Sequence, residues 1–423
     1  MAGGVADKER ASVKRRELSS DPRCGNARRR GDGPVPRYDR PVILSAADAR
    51  RLTNAALSAG FERAGLAPLA ALADAGLRAW LADGRHAGMK YLERFLPLRE
   101  DPRRAFPKYR SVLVVAADYG DDRSAPPPPD RGDVARYARG DDYHLVLKAR
   151  LRALQGALRA EFPAVVTRPF VDSGPLNEKL AAAVAGLGWV GRNTNLVNRR
   201  AGSWCVLGLL LLSADVVAAA SPAKDYCGLC TRCLEVCPTG AIVAPYELDA
   251  RLCISYLTIE HAGPIPRALR PAVGNRIFGC DDCQAVCPWN RFATRSPSEP
   301  FRPRDDLHGR PLTEWLSLDA ASFATTFAGA AILRAGAEGF ARNVLVAAGN
   351  AFAAGAGDAD LDRAVERRLA DPSPVVRDAA AWALGRRRDG RATRALKERR
   401  EVETNEAVRL EIDASLAEKS ERR

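Results

Sequence analysis

Histidine, methionine and long apolar runs are scarce in this chain of 423 residues, which holds four His and two Met. So few imidazoles argue against a metalloenzyme built on histidine clusters. The longest apolar stretch, residues 204–212, is about half of the ~18 residues that a membrane helix needs, so we expect no span and no membrane partner. Ten Cys are too few for a disulfide scaffold in a chain of this length.

Nucleotide-binding and export signals are also missing. No Walker A loop occurs, and the G-x-G-x-x-G match at residues 186–191 follows a predicted helix where a dinucleotide site needs a strand. We interpret that match as a glycine-rich turn that brings backbone close to a ligand. Arg15 and Arg16 resemble the start of a twin-arginine signal, but no apolar stretch follows them. The chain is therefore expected to remain in the cytoplasm.

The net charge is +13, from 65 Lys and Arg against 52 Asp and Glu. A basic balance suits a phosphate-rich partner such as a nucleic acid. The chain is also crowded with Ala and Arg, so a general bias in composition explains the same excess. Charge alone leaves both interpretations open.

The pattern along the chain divides it into four segments. Residues 1–40 have the composition of a disordered basic tail. Residues 41–215 alternate between helical and strand patterns, which predicts mixed α/β layers. Residues 216–300 are rich in Cys, Gly and Pro and need a metal to hold them together. Residues 301–423 turn helical, and 365–384 resemble a HEAT-type unit, with an ordinary helical hairpin as the alternative.

Within the second segment the periodicity predicts several elements. The predicted helices are a first one capped by Ser45 and reaching about Ala64, then 69–82, 143–161 and 176–187. The predicted strands are 111–117, 164–171 and 204–212. The predicted fold is therefore a multi-domain α+β and α arrangement: a mixed α/β domain, a ferredoxin-like cluster domain and a HEAT-like helical domain.

Eight of the ten Cys lie within residues 227–287. The first four follow the C-x2-C-x2-C-x3-C-P run of bacterial ferredoxins, in which the fourth thiolate binds the other cluster. That rule predicts two 4Fe–4S clusters. Zinc is the competing metal, although zinc ribbons use paired C-x2-C units. Cys205, in an apolar strand, is interpreted as a small hydrophobic residue, and Cys24 has no assigned role. The predicted ligands are Cys227, Cys230, Cys233 and Cys287 for one cluster, and Cys237, Cys253, Cys280 and Cys283 for the other.

Asp172 stands out as a candidate proton donor. It follows the apolar residues Phe170 and Val171 at a predicted strand end, so we expect its carboxyl to be desolvated and to stay protonated near pH 7. The alternative is an N-cap for the helix that begins near Leu176. His144, at the end of the segment Arg-Tyr-Ala-Arg-Gly-Asp-Asp-Tyr-His over 136–144, is interpreted as part of a loop and helix cap.

Several of these segments together resemble one known family, the epoxyqueuosine reductases, over about residues 41–420. The cysteine block is the most specific part of this resemblance and the helical C-terminal part the least. The segments are 136–144, Asp-Ser-Gly-Pro at 172–175, 185–191, Cys-Ile-Ser-Tyr-Leu-Thr-Ile-Glu at 253–260, and 279–290 with its Cys-Pro-Trp-Asn ending.

The resemblance implies a cobalamin-binding domain at 41–215 related to reductive dehalogenases, a double 4Fe–4S domain at 216–300 and a tRNA-contacting helical domain at 301–423. It implies that the epoxide of epoxyqueuosine at the tRNA wobble position is reduced to the alkene of queuosine. The chain lacks a D-x-H-x-x-G motif, which agrees with cobalamin bound without a lower His ligand. The residues that the resemblance brings to the site are Asp172 as proton donor and Arg99, Asn193, Val197, Gly208 and Ser255 near cobalamin.

Two other functions stay open at this point: a cytoplasmic enzyme like the reductive dehalogenases, and a plain electron carrier. The electron carrier would have no need of Asp172 or of an α/β domain before the clusters. Whichever enzyme is correct, an unidentified electron donor is required. We expect a monomer.

Overall fold

The computed structural model describes residues 42–120, 125–216, 222–293, 298–387 and 389–421. The predicted tail at 1–40, including Cys24, lies outside these residues. No helix in the described ranges combines the length and the apolar character needed to cross a bilayer.

The strands are short apart from two of eight residues, β3 and β8. In chain order they are β1 Val42–Leu44, β2 Arg63–Pro68, β3 Ser111–Asp118, β4 Asp133–Val134, β5 Thr167–Phe170, β6 Trp189–Val190, β7 Leu196–Val197, β8 Cys205–Leu212, β9 Ala214–Val216, β10 Ile242–Ala244, β11 Glu247–Leu248 and β12 Arg276–Phe278.

The helices are longest in the C-terminal third and in α5. They are α1 Ala46–Ser58, α2 Leu77–Ala82, α3 Tyr91–Glu100, α4 Pro102–Ala105, α5 Tyr143–Glu161, α6 Glu178–Val184, α7 Arg232–Glu235, α8 Ile254–Ile259, α9 Arg270–Val273, α10 Asp282–Ala285, α11 Leu312–Leu316, α12 Ala320–Thr326, α13 Gly336–Ala353, α14 Ala359–Arg367, α15 Pro374–Arg386, α16 Gly390–Val402 and α17 Glu406–Glu421.

A four-stranded antiparallel sheet, in the order β2-β3-β8-β5, forms the centre of the α/β layers. All eight residues of β3 are buried because helices cover both faces of the sheet. Alternate side chains of a strand point to opposite faces. Leu113 and Val115 pack with residues of α1 and α5, while Val112 and Val114 pack with residues of α6. The sheet is thus the middle layer of an α-β-α sandwich.

Three predicted elements in this region are confirmed: the strands at β3 and β8 and the helix α5, whose bounds match the prediction. Ser45 caps α1 as predicted, in a reciprocal capping box with Asp48. The predicted end of that helix near Ala64 is wrong. The chain leaves the helix at Gly60, which has a φ of 85°, and then forms the unpredicted edge strand β2.

The single helix predicted over 69–82 is also wrong. A 3₁₀ turn at Leu69–Leu72 and the helix α2 are separated by extended backbone at Ala73. Asp74 interrupts the helix because its groups are used elsewhere: its N–H donates to Arg99 O at 3.0 Å, and its carboxylate accepts from Asn177 Nδ2 at 2.9 Å. These bonds join the start of α6 to the end of α3, beside the site described below.

The C-terminal helices form a layered bundle in which α15 packs against α13 and α17. The predicted helix, turn, helix over 365–384 is present, since α14 is followed by a 3₁₀ turn and Ser373 caps α15 ahead of Pro374. The hydrophobic core of this helical bundle continues into the cysteine-rich segment. There, Leu257, Ile277 and Phe278 belong to the same buried cluster as Val344 of α13. The predicted boundary at residue 300 therefore does not coincide with a gap in the core.

One buried side chain, Arg342 of α13, ties these two segments together. Arg342 is 1% exposed. Its guanidinium donates to the carbonyl oxygens of His261 at 2.6 Å, Gly263 at 2.7 Å and Leu257 at 2.7 Å. Because these carbonyls lie at the end of a short helix, they have few other partners. The neighbouring Asn343 donates to Thr258 O at 2.7 Å and to Ile277 O at 2.9 Å.

We predict that Arg342→Met lowers the free energy of unfolding by about 3 kcal/mol or more, because several buried carbonyls lose their donor at about 1–3 kcal/mol each. Chemical denaturation of the anaerobic protein measures the change. Arg334→Met is the matched control, since Arg334 makes an ion pair with Glu260 while remaining half exposed. Its cost should stay below about 1 kcal/mol. Equal losses in the two variants would contradict the role assigned to Arg342.

Candidate active site

Two cavities in the structure are each lined by four of the eight clustered cysteines. The larger, of about 380 Å³, is lined by Cys237, Cys253, Cys280 and Cys283 together with residues of the α/β layers. The smaller, of about 220 Å³, is lined by Cys227, Cys230, Cys233 and Cys287. The division of the cysteines between the cavities is the same as the division that the ferredoxin spacing predicts.

Local backbone geometry explains how short segments bring these thiols together. Gly228 adopts a left-handed φ of 55°, and Cys230 N donates to Cys227 O at 3.2 Å, so the loop turns tightly between the first two cysteines. Cys233 and Cys283 lie on α7 and α10, helices of four residues each, and Cys237 and Cys287 each lie two residues past the end of these helices. Pro238 and Pro288 then stop these helices from continuing.

The thiol environments suit iron–sulfur clusters. Burial raises the pKa of the Cys280 thiol well above its ordinary value and that of Cys283 to about 12. Thiolates at these positions therefore need bound cations to stabilise them. Two sulfurs also accept N–H bonds, Cys227 from Trp189 Nε1 at 3.3 Å and Cys237 from Ala241 N at 3.2 Å, as cluster sulfurs commonly do.

Within the described ranges, no three His, Cys, Asp or Glu side chains converge as ligands of a single metal ion.

The larger cavity extends beyond its thiols towards the central sheet. Its lining also includes the hydroxyl groups of Tyr119, Tyr137 and Tyr143 and the side chains of Glu178 and Lys179. Burial raises the pKa of all three tyrosines, so their hydroxyls stay protonated donors at neutral pH. The space beside one set of four thiols is therefore a chamber with a mainly apolar lining and a few hydrogen-bonding groups, as is usual for a cofactor site.

Three of the residues that the resemblance suggests lie at or near this chamber. Ser255 and Asn193 line it, and Asn193 also donates to Cys283 O at 3.1 Å. Arg99 lies near it, and its charge acts on Glu178. Its Nε is buried with no hydrogen-bond partner among the described residues, as expected of a donor that awaits a ligand.

The structure does not bring the other two to the chamber. Val197 lines the smaller cavity. Gly208 faces the core between the sheet and α5, where an added Cβ would lie 3.1 Å from Leu151 Cδ1 and 3.2 Å from Val115 Cγ2. The small size of Gly208 lets α5 approach the sheet, so its place in the chain reflects packing. Cys205, interpreted from the sequence as a hydrophobic residue, packs with the core and also borders the chamber.

Asp172 lies beside the chamber in an unusual backbone conformation. Its φ is 51°, in the left-handed region, and its N–H donates to Glu178 Oε1 at 2.7 Å. The N-cap of α6 is Asn177, so the capping alternative for Asp172 is wrong. The expected desolvation is also not found. The side chain is 62% exposed.

A chain of hydrogen bonds ends on the Asp172 carboxylate. His144 Nε2 lies 3.3 Å from Asp172 Oδ2, and His144 Nδ1 lies 2.7 Å from Asp142 Oδ1. Asp142 also caps α5 by accepting from His144 N at 2.9 Å, which confirms the cap interpretation of this segment. Burial alone would lower the pKa of His144, but the hydrogen bonds to Asp142 and Asp172 raise it to about 9. His144 is therefore a cation at neutral pH.

Sequence reasoning missed the connection of His144 and Glu178 to Asp172. The segment 136–144 was a visible signal for His144, but its spacing gives no indication of a contact 28 residues further on. No motif or spacing in the sequence pointed to Glu178 as a residue of the site. Burial, with the Asp172 charge as the next cause, raises the pKa of Glu178 to about 8. Glu178 can thus accept the Asp172 N–H while it remains largely neutral.

Comparison with known proteins agrees with this geometry. Residues 99–173 match the family model described as epoxyqueuosine reductase QueG, DUF1730, and residues 226–290 match the model of a 4Fe-4S double cluster binding domain. An epoxyqueuosine reductase of Xanthomonas campestris is 43% identical over 342 residues, covering 79% of this chain and 95% of that protein. One of Escherichia coli is 39% identical over 341 residues, covering 79% and 88%.

Solved structures are similar as well. A crystal structure of epoxyqueuosine reductase with an epoxyqueuosine-modified tRNA stem loop superposes with a TM-score of 0.79 at 29% identity, covering 88% of this chain and 98% of that one. A Bacillus subtilis epoxyqueuosine reductase, whose catalytic aspartate loop is described as swung out of the active site, gives 0.77 at 29% identity, covering 87% and 98%.

A double-cluster segment beside a chamber, closed by an α/β sandwich, defines an iron–sulfur oxidoreductase. At the identity and coverage of these relatives, the chain belongs to the epoxyqueuosine reductase family. The family uses cobalamin and iron–sulfur clusters. The two thiol sets and the chamber fit these groups.

We predict that Asp142→Asn lowers the pKa of His144 from about 9 towards its ordinary 6.5, because one of its two anionic partners is lost. An NMR titration of ¹³C-histidine-labelled protein between pH 5.5 and 10 measures the shift. Since the folded pKa is the raised one, the stabilisation from protonated His144 is complete below pH 6.5 and is lost as the pH rises through 9.

His261 provides the internal control in the same spectra. Burial lowers the pKa of His261, and it lies outside the chain of hydrogen bonds to Asp172. Its titration should not change in the variant. A His144 resonance that titrates near 6.5 in the unmodified protein would contradict the ion pairs described here.

Proposed function

We propose that this chain reduces the epoxide of epoxyqueuosine in the tRNA anticodon loop to the alkene of queuosine. Membership of the family supports the reaction. The observation that carries the proposal is the placement of Asp172, linked to His144 and Glu178, beside a chamber lined by one set of four thiols.

The chemistry requires two electrons and two protons for each epoxide, whose oxygen leaves as water. Cobalamin, when bound, supplies low-valent cobalt chemistry that suits removal of the epoxide oxygen. Both 4Fe–4S clusters supply electrons singly. The protein must therefore hold the cofactors, position the base and deliver protons.

We assign the delivery of a proton to Asp172. A carboxyl within reach of the departing oxygen can act as a general acid, and the relative from Bacillus subtilis is described with a catalytic aspartate on a loop. Cationic His144, at 3.3 Å, can return a proton to Asp172 after each turnover.

We also assign the ligands and the cofactor contacts. Arg99, Asn193 and Ser255 are proposed to contact cobalamin in the chamber, whereas the positions of Val197 and Gly208 do not support that role for them. The inner cluster is assigned to Cys237, Cys253, Cys280 and Cys283, which line the chamber. The outer cluster is assigned to Cys227, Cys230, Cys233 and Cys287.

The substrate tRNA is proposed to contact the HEAT-like helices α13–α17. The similar structure with a tRNA stem loop supports a tRNA substrate. Residues 361–423 hold 16 Lys and Arg against 13 Asp and Glu, so the arrangement of charges must matter more than their sum. Because tRNA is a cytoplasmic substrate, we propose a cytoplasmic enzyme, and we propose that it is a monomer.

We predict that Asp172→Asn lowers turnover of an epoxyqueuosine-containing stem loop by about a hundred- to ten-thousand-fold, the usual contribution of a general acid. Asn tolerates the left-handed backbone at this position, so the loop should keep its conformation. Anaerobic single-turnover assays with cobalamin and dithionite, analysed by mass spectrometry of the nucleoside, measure the rate.

Asp141→Asn is the matched control, because Asp141 is an exposed neighbour in the same capping segment. It should turn over the stem loop at the rate of the unmodified protein. Cluster absorbance and stem-loop affinity should be the same in both variants. Near-normal turnover by Asp172→Asn would remove Asp172 from proton transfer.

We further predict that anaerobically purified protein contains about eight iron atoms per chain, four in each of two clusters. Elemental analysis with visible absorbance spectra measures the content. Cys24→Ser, which changes a cysteine outside both sets, should retain the same iron. Stoichiometric zinc with little iron would contradict the assignment of the thiols.

A further inference from the structure

We propose that the protein surface around the smaller thiol cavity docks a small acidic protein that carries one electron at low potential. This proposal rests on the proposed function, since that reaction consumes electrons that the chain cannot generate. We call this surface the donor face. It consists of Arg199, Tyr226, Leu229, Arg232, Arg291 and Phe292.

The donor face exposes large apolar side chains directly beside the outer cysteines. Leu229, between Cys227 and Cys230, is 94% exposed, Phe292 is 44% exposed and Tyr226 is 39% exposed. Single exposed apolar residues are common, but a group of them at one site typically marks an interaction surface. The loop around a buried cluster has no folding requirement for a fully exposed leucine.

Aromatic contacts hold this surface in a fixed shape. The rings of Trp189, Tyr226 and Trp289 pack edge to face, with centroids 5.3–6.0 Å apart, and Phe292 lies 6.0 Å from Trp289. Trp289 Nε1 also donates to Tyr226 O at 3.3 Å. A partner would therefore meet a preformed apolar surface, which reduces the entropy lost on binding.

Positive charge surrounds the apolar group. Residues 189–200, 222–236 and 286–292 contain six Lys and Arg but two Asp and Glu. Arg199 lies over the ring of Tyr226 at 5.2 Å, and Arg291 lies over the ring of Phe292 at 4.5 Å.

The two acidic side chains are engaged in local bonds. Asp225 accepts from Cys227 N at 2.6 Å and from the Tyr246 hydroxyl at 2.5 Å, and Glu235 accepts from the Thr231 hydroxyl. Bonds from neutral donors do not cancel a carboxylate charge, but six Lys and Arg outnumber two Asp and Glu in these segments, so the donor face is net positive, which attracts an acidic partner and accelerates its encounter.

The position of the donor face in the fold determines what the partner does. The outer cysteines line the cavity at this surface, while the inner cysteines line the chamber that holds Tyr143 and Glu178. Asn193 contributes to both cavities, so the two cysteine sets are adjacent. An electron delivered to a cluster held by the outer cysteines would need one transfer, to the cluster held by the inner cysteines, to reach the chamber.

The electron balance requires two encounters for each turnover. Each donor protein is oxidised by one electron, and two such electrons with two protons convert one epoxide into one alkene and one water. An RNA would also be attracted by the arginines and the aromatic rings, but the almost fully exposed aliphatic Leu229 beside the outer cysteines favours a protein surface, since RNA contacts use charged and aromatic side chains.

The test measures binding of an oxidised plant-type [2Fe–2S] ferredoxin, which has an acidic surface, to the cluster-loaded protein by calorimetry. We expect Leu229→Ser and Arg199→Glu each to raise the Kd about tenfold or more, and raising the salt from 50 to 200 mM to weaken binding to the unmodified protein. Arg50→Glu is the matched control, because Arg50 is exposed on α1, away from both cavities, and it should bind like the unmodified protein.

A second readout separates this proposal from the proposed function. Dithionite needs no docking surface, so dithionite-driven turnover of the epoxyqueuosine stem loop should be unchanged in Leu229→Ser and Arg199→Glu. If the unmodified protein fails that turnover while the variants lose ferredoxin affinity, the proposed function is wrong and the donor face stands.

Other outcomes would overturn the donor face itself. Absence of ferredoxin binding, or equal ferredoxin affinity in the variants and the unmodified protein, would show that no such partner docks here. Weaker stem-loop affinity in Leu229→Ser and Arg199→Glu, with ferredoxin affinity unchanged, would reassign the surface to RNA.

Discussion

The cysteine-rich segment depends on the hydrogen bonds that two side chains of α13, Arg342 and Asn343, donate to its buried backbone carbonyls. This segment has short helices and two-stranded ribbons with little apolar interior of its own. Arg342 and Asn343 donate to backbone oxygens within α8, just after it and at β12, and the surrounding apolar residues belong to one continuous core. The thiols are thus held against a helical support, which fixes the chamber between that support and the central sheet.

The chamber brings together residues suited to two kinds of chemistry. Thiols line it, and so do tyrosine hydroxyls and Glu178, which accepts a hydrogen bond from the nearby Asp172. Under the proposed function, the thiols would hold the electron carriers and Asp172 would supply the proton. The two carboxylate partners of His144 keep it cationic next to this candidate acid.

The sequence predicts regular elements well where a strong period coincides with full burial, as in β3, β8 and α5, and it separates the cysteines correctly because ligand spacing is local. It fails where one distant contact decides the structure. The helix predicted over 69–82 is interrupted at Asp74, whose carboxylate accepts a hydrogen bond from Asn177. The Asp172 side chain is exposed, and its N–H donates to the Glu178 carboxyl. Gly208 shows the same limit, since a resemblance identifies the position but not the helix that packs on it.

Asn193 has a further consequence for how the protein matures. Its buried side chain touches the walls of both cavities and donates to the backbone of Cys283, and Cys287, four residues later, lines the other cavity. Ordering one set of thiols therefore preorganises the other. Cluster assembly should be cooperative, so that a half-loaded chain is a scarce intermediate and partial iron supply yields a mixture of empty and complete molecules.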